Sequence, residues 1–410
     1  MPEGPAIGSL FSGYGGLDLA VQAVFGARTA WVSDVEPGPR LVLAARFPGA
    51  PNLGDVAAVD WASVEPVDVM CGGFPCQDMS PAGKRAGLRP GTRSGLWAHM
   101  AAAVAAIRPP LVVIENVRGI TSAESESDSP VEPCPWCLGG RANPPLRALG
   151  AVLGDLADLG YDARWDGLRA ADVGACHGRF RIFVLAVRRG AGIPPAAGGP
   201  VTAGPPAGAP PLLPTPNTTR RPTTHSGRAA PTPTLEGIAA RLLPTPRAAD
   251  TRASMTAPAA ARHLAAGFGS LAETIGALLP TPQAHDSRGA KTAAQVAAGR
   301  AKGHGVANLN ETVANAGGFG AWLPAMRRWA DVMGRDWPPP AEAGPSGRPR
   351  LSAPFVEWMM GLPEGWVCDV PGVTRARALR MLGNGVVPLQ AETAIRGLAD
   401  AGARDSEEAA

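Results

Sequence analysis

Residues 67–77 read Val-Asp-Val-Met-Cys-Gly-Gly-Phe-Pro-Cys-Gln. Val67 to Met70 has the length and β-branched content of a buried strand in a parallel sheet. Gly72-Gly73 and Pro75 cut the run, so Cys76 is expected on a tight turn just past the carboxyl end of that strand. Ligands bind at this edge in open α/β sheets. A second apolar run, Leu111-Val112-Val113-Ile114, ends in Glu115-Asn116-Val117 and brings a carboxyl group to the same edge. A cysteine after a strand is also often a small buried hydrophobe. The thiol gains meaning only from its company.

That company comes in a fixed order. A short strand, Ala6 to Leu10, runs into Phe11-Ser12-Gly13-Tyr14-Gly15-Gly16-Leu17, followed by an apolar stretch, Leu19 to Phe25, expected as a helix. Glycines between a strand and a helix let the backbone approach a ligand and leave the helix N-terminal amides free. The next strand, about Ala30 to Ser33, ends in Asp34-Val35-Glu36, and an acid after the second strand commonly binds ribose hydroxyls. Gly54-Asp55-Val56 follows. Further on, Arg179 and Arg181 are spaced i, i+2 and point to one side of a strand. That suits an anionic or carbonyl-rich ligand, and equally a salt-bridged surface strand. Near the C-terminus stands Gly383-Asn384-Gly385-Val386. Singly, these acids and glycines are also those of helix caps, solvated loops and plain turns.

Taken in this order, the motifs resemble the C5-cytosine DNA methyltransferases, over about residues 6 to 188 and 351 to 398. The resemblance implies an α/β, Rossmann-like S-adenosylmethionine-dependent methyltransferase fold with a smaller, loop-rich target-recognition region. It implies Cys76 as nucleophile, Glu115 as the group that hydrogen-bonds or protonates the base, and Arg181 with Arg179 at the base carbonyl. S-adenosylmethionine is the implied cofactor, met by Phe11, Ser12, Gly13, Gly15, Gly16, Leu17, Asp34, Val35, Asp55, Val56, Leu96, Asn384 and Val386. Phe74, Pro75 and Gln77 flank the thiol. The loop bearing Ser80, Lys84 and Arg85 would close over DNA and help to extrude the target base; a solvated basic loop has the same composition. Cys176-His177 stands where the family has Pro-Gln or Pro-His.

With 410 residues the chain is long enough for two or more domains. Charged residues make up only 18%, while 52 glycines and 44 prolines require loop-rich stretches. The net charge of +3 is too mild to prove a nucleic-acid partner, although few of the 38 basic residues are lysine, and arginine suits bidentate phosphate and guanine contacts. Six cysteines, no signal peptide and no long apolar stretch point to a reducing cytoplasm and no membrane role.

Expected boundaries are a catalytic and cofactor domain at 1–189 with an insertion at 121–145, a Gly/Ala/Pro linker at 190–211, a recognition region at 212–350, a C-terminal return at 351–400 and a frayed tail at 401–410. Leu-Leu-Pro-Thr-Pro recurs at 212–216, 242–246 and 278–282, and the later two copies share Asp250-Thr251-Arg252 and Asp286-Ser287-Arg288. Such repetition implies small modules that pack on neighbours. By position they should read DNA sequence; a proline-rich spacer is the plainer alternative. Cys134 and Cys137 form a lone CxxC, and a zinc site needs four ligands, so no metal is expected and free thiols are favoured over a zinc pair. Asn143-Pro144-Pro145-Leu146 lacks the aromatic residue that an amino-methylating enzyme stacks on its base, and is expected as a turn before a helix from 146 to 159.

The function implied is methyl transfer to C5 of a flipped-out cytosine in a specific duplex, through a covalent adduct at C6. The partners would be double-stranded DNA and a cognate restriction endonuclease, the state monomeric and the setting the nucleoid-associated cytoplasm. Transfer RNA as acceptor, a non-catalytic DNA-binding protein of the same fold and a dithiol oxidoreductase on Cys134 and Cys137 are the alternatives.

Overall fold

The computed structural model describes residues 4–75, 96–121, 148–194, 278–287, 322–344 and 349–408, with side chains through residue 402, and the single positions Gln295, Leu309, Thr312 and Val313. Cys76, Gln77, Ser80, Lys84, Arg85, Cys134, Cys137, the Asn143 turn and the first two repeat copies lie outside the described residues. The chain divides into two compact units, Met1–Ala197 with Pro280–Ala316 and Arg328–Ala410, and Gly198–Leu279 with Gly317–Arg327. Most of the described residues belong to the first.

The first unit is built on a six-stranded sheet. Its strands are β1 (Ala6–Leu10), β2 (Arg28–Ser33), β3 (Val69–Gly72), β4 (Leu111–Val117), β5 (Tyr161–Arg169) and β6 (Phe180–Arg188), in the order β2-β1-β3-β4-β6-β5. β1, β2, β3 and β4 are parallel, and β6 is antiparallel to both of its neighbours, so it alone runs against the other five. Alternation along the strands sends side chains to two separate cores. Ile7, Val69, Cys71, Leu111, Val113, Phe183 and Leu185 pack against α1 (Gly16–Phe25) and the long terminal helix α8 (Pro388–Glu408). Leu10, Met70, Val112, Ile114, Ile182 and Val184 pack on the opposite face against α3 (Leu96–Ile107) and α4 (Ala148–Asp158). Each such side chain contributes about 1.5–3 kcal/mol on burial. Helix α2 (Pro37–Arg46) follows β2, and α5 (Leu323–Met333), the β7–β8 hairpin (Ala341–Ala343, Pro349–Leu351), α6 (Ala353–Met359) and α7 (Arg375–Asn384) precede α8.

Four expected boundaries move. β3 begins at Val69 and continues through Gly72, where the run had seemed cut: a methyl at Gly72 would sit 2.8 Å from the Leu10 carbonyl oxygen of the neighbouring strand, so the glycine serves close strand pairing and not a turn. The glycine turn feeds directly into α1, which starts at Gly16 and not at Leu19. Residues 375–384 form a complete helix capped by Thr374, whose side chain accepts from the Arg377 N–H, so Gly383 and Asn384 close a helix instead of forming an open turn. The tail is helical as far as Glu408.

Asp18, in the first turn of α1, is completely buried and takes hydrogen bonds from Ser9 (2.9 Å) and Thr29 (3.4 Å). Burial outweighs those bonds and lifts its carboxyl from 3.8 to about 6. A folded-state value above the unfolded one gives stability that is complete below pH 4 and lost as pH rises through 6. The loss approaches about 3 kcal/mol at neutral pH. Asp18→Asn is therefore expected to be more stable than the wild type at pH 8 by up to this amount and to lack the fall between pH 4 and 7. Urea unfolding at pH 5 and 8 checks it; parallel pH dependence in both proteins rules it out.

Candidate active site

The pairing of β3 with β4 ends with Gly72 opposite Ile114, while β4 runs on to Val117, so the next residues, Gly73 and Glu115, are neighbours. A methyl on Gly73 would lie 2.8 Å from Glu115 Oε2, and the bare glycine leaves room for the carboxyl. Glu115 is opposite Phe183 on β6, which makes Arg181, two residues back, its diagonal neighbour on the same sheet face. Arg181 Nε lies 2.7 Å from Glu115 Oε1. Burial pushes the Glu115 carboxyl above its ordinary range, against the opposing pull of Arg181 and then Arg179, and the balance is upward.

The turn toward the thiol is fixed from below. Phe74 is buried and its ring packs on Trp97, with centroids 5.5 Å apart, while the Phe74 carbonyl accepts from Asn116 Nδ2 at 3.3 Å. Asn116 also receives the Val117 N–H at 2.8 Å. The backbone thus enters Pro75, the last described residue before Cys76, from an anchored position.

Arg179 and Arg181 separate in role. Arg179 is only 3% exposed and gives its guanidinium to three carbonyls: Pro282 (3.3 Å), Gly383 (3.0 Å) and Gly385 (2.6 Å). Burial, and then the neighbouring Arg181 cation, lower its pKa to about 9. The pair therefore spans two places, Arg181 at Glu115 and Arg179 at the C-terminal return. Its neighbour His177 is also buried, with Nε2 3.0 Å from the Met359 carbonyl oxygen; desolvation and then Arg179 lower it to about 3, so it is neutral and structural.

The glycine turn lies at the same sheet edge. Gly13 and Gly15 hold positive φ (57° and 81°), as does Phe11 (54°), a backbone that side chains rarely adopt and that clusters at ligand sites. Space beside Gly13 is open. Helix α1 has no side-chain cap, which leaves its first N–H groups for a ligand. Asp34 Oδ2 accepts from the Gly13 N–H at 2.9 Å and joins the two turns, and burial raises its pKa. Val35 beside it is 54% exposed, an apolar face in the open. Asp55 is exposed on its loop, its Oδ1 accepting from Ala57 N–H at 3.0 Å. Ser12 is buried and bonds to the backbones of Ser9 and Ser33. Leu17 and Val56 belong to the two cores, and Leu96 packs half-buried against one of them.

The C-terminal return closes onto this turn. Tyr14, completely buried, donates from its hydroxyl to the Val386 carbonyl at 2.6 Å, and Trp366 Nε1 donates to the Tyr14 carbonyl at 2.8 Å. A methyl on Gly16 would press on that same Val386 carbonyl, 2.5 Å away. Val386 is buried and Asn384 stays exposed at the end of α7. An open glycine turn, free helix amides, an acid bridging two turns and an exposed apolar residue together fit an adenosine-type cofactor with a carboxylate tail. Sequence reasoning missed Tyr14, Gly73 and Asn116. Each sat inside one of the motifs, but its partner comes from elsewhere: Val386 in the C-terminal return for Tyr14, β4 for Gly73, and the segment after β3 for Asn116. Among the described residues no group of acids, histidines and cysteines could hold a metal ion, and no helix is long and apolar enough to cross a membrane.

An α/β sheet with one reversed strand, a glycine turn after its first strand and a buried carboxyl beside the segment that ends at Pro75 defines a Rossmann-like methyltransferase. The chain belongs to the C-5 cytosine-specific DNA methylase family, whose sequence model matches residues 6–228. It is 28% identical to Type II methyltransferase M.NlaIV of Neisseria lactamica over 180 residues, 43% of this chain and 39% of that protein. It is 25% identical to Type II methyltransferase M.MspI of Moraxella sp over 177 residues, 43% of this chain and 37% of the other. The matched part thus spans about two fifths of these curated relatives. The Dnmt2 methyltransferase of S. pombe superposes with a TM-score of 0.49 at 14% identity, covering 97% of this chain and 98% of that one.

Proposed function

We propose that this chain transfers a methyl group from S-adenosylmethionine to C5 of a cytosine in duplex DNA. The observation that carries the reading is Glu115: buried, raised in pKa and held against Arg181 beside the turn that leads into Cys76. Cytosine C5 is a poor nucleophile until something adds at C6. The Cys76 thiolate is suited to that addition, because sulfur both adds and leaves readily. As the S–C6 bond forms, the C5–C6 π electrons move to C5. A protonated Glu115 donates to N3, and Arg181 offsets the negative charge growing on the carbonyl oxygen. The cofactor, when bound, supplies an electrophilic methyl group for C5. A solvent-borne base then takes the C5 proton, its electron pair re-forms the C5–C6 double bond and expels Cys76 as thiolate, and N3 returns its proton to Glu115. A stacked base cannot reach these groups, so it must be flipped out, at a cost of a few kcal/mol. The loop with Ser80, Lys84 and Arg85 is the proposed agent.

Asp34 would hold ribose hydroxyls and Val35 the adenine face, with Asp55 near the adenine amino group and the Gly13–Gly16 turn at the methionine part. Asn384 and Val386 would complete the site. Target recognition falls to the 212–350 region outside residues 280–287, and a cognate endonuclease would cut the sequence that the chain protects. The test is whole-genome bisulfite sequencing of a methylation-free bacterial host expressing the chain. One recurring methylated sequence is expected. An unmethylated genome with soluble protein present would overturn the DNA reading, and labelling of tRNA in place of DNA would reassign the acceptor.

A further inference from the structure

The third repeat copy does not stand apart from the catalytic unit. Its residues 280–287 belong to the first unit and pack along α7. The Pro282 carbonyl shares the Arg179 guanidinium with Gly383 and Gly385, and a methyl on Gly383 would overlap the Gln283–Ala284 peptide. A short 3-10 turn, Ala284–Ser287, is locked by Asp286, whose Oδ2 accepts from the Gln283 N–H at 2.8 Å. Pro282 and Asp286 face inward, Asp286 only 1% exposed, whereas Gln283 and His285 are exposed.

We propose that residues 280–287 are a positioning strut for the cofactor side of the active site: the turn locked by Asp286 holds Pro282 against Arg179 and so sets the Gly383–Val386 segment against the glycine turn, instead of reading DNA. The geometry runs continuously from Asp286 to the Pro282 carbonyl, to Arg179, to the Gly385 carbonyl, and on to the Val386 carbonyl held by Tyr14. The inward positions set the first copy apart from the later two. Aligned on Pro280–Ser287, the second copy (Pro244–Thr251) keeps the proline and the acid as Pro246 and Asp250, and differs only at 283, 285 and 287. The first copy puts Arg220 in the place of buried Asp286. A cation there would be buried where Asp286 accepts the Gln283 N–H, so copy one cannot form the same strut. Arg179 and Asp286 act through the return segment and are positioning residues.

The proposal rests on the cofactor reading above, and equilibrium binding of S-adenosylhomocysteine to the full chain tests it. Asp286→Ala is expected to weaken binding about tenfold and to raise KM for S-adenosylmethionine while kcat at saturation is kept. Asp286→Asn, which retains an acceptor oxygen for the Gln283 N–H, should restore wild-type affinity. The triple change Gln283→Arg, His285→Ala, Ser287→Thr, which writes the second copy into the third, should bind cofactor as the wild type does and methylate the same sequence. An altered methylated sequence in the triple variant, or unchanged affinity in Asp286→Ala, would overturn the strut alone. A wild-type chain that fails to bind S-adenosylhomocysteine would overturn it together with the cofactor reading.

Discussion

Cys76→Ser is expected to abolish methyl transfer, by at least about three orders of magnitude, while leaving the affinity for S-adenosylhomocysteine within about twofold. The expectation follows from the chemistry at C6 and from the geometry up to Pro75. Activation of C5 requires an electron pair at C6, and a serine hydroxyl with an ordinary pKa has no anion to offer and no base assigned to remove its proton. The turn should keep its shape in the variant, because what anchors it lies before the thiol: the Phe74 carbonyl on Asn116, the Phe74 ring on Trp97 and the bare face of Gly73 over Glu115. The cofactor elements lie on β1, β2 and the C-terminal return, so their binding is separable from the thiol. Single-turnover assay with labelled cofactor and DNA bearing the methylated sequence measures the first quantity, and calorimetry the second. Residual turnover above a hundredth of wild type would sink the covalent route.

The second large effect concerns Glu115. Glu115→Gln is expected to lower kcat by about two to three orders of magnitude, a range typical for loss of a positioned acid. The amide can still donate a hydrogen bond to N3 but cannot pass a proton. The pH dependence carries the sharper statement. Burial raises the carboxyl above its ordinary range against Arg181 and Arg179, and in the proposed mechanism the protonated form is the active one. Activity should therefore fall as pH rises through that raised value, and the fall should vanish in Glu115→Gln. Arg181→Ala removes the neighbouring cation that lowers the Glu115 pKa, so its alkaline limb should move to higher pH even as the rate drops. A pH–rate profile unchanged by either substitution would remove Glu115 from the acid role.

Much of this site could be read from the chain because the residues that matter follow strands directly. β1 into Gly13, β3 into Phe74 and Pro75, and the run of β4 that carries Glu115 are each a local step, and a short apolar run followed by glycine or a polar triplet signals it. The reading lost accuracy where a glycine served contact instead of a turn. Gly72 stays within β3, close against Leu10, and Gly383 stays within the last turn of α7, with the Gln283–Ala284 peptide against it. Neither neighbour is visible in the local sequence. The two arginines show the same limit: their spacing gave a shared side, but the partners of Arg179 stand at 282, 383 and 385, brought in by chain segments with no periodic pattern to place them. The 3-10 turn at 284–287 depends on an Asp that accepts a backbone N–H three residues earlier, a pattern common in loops.

The packing of α8 has a consequence for how the protein is made. One face of the sheet, with Ile7, Val69 and Val113, is covered in part by Ala391, Ala394, Ile395 and Leu398, which leave the ribosome after nearly all of the chain. At about 5–20 residues per second, roughly 20–75 s separate the appearance of β1 from that of its cover. During this interval the nascent sheet carries an apolar face that nothing later than α1 yet protects. Synthesis from the N-terminus thus sets the order of assembly, with the α3–α4 side closing early and the α8 side sealing last, and the interval before sealing is when the chain is most exposed to aggregation and most in need of a chaperone.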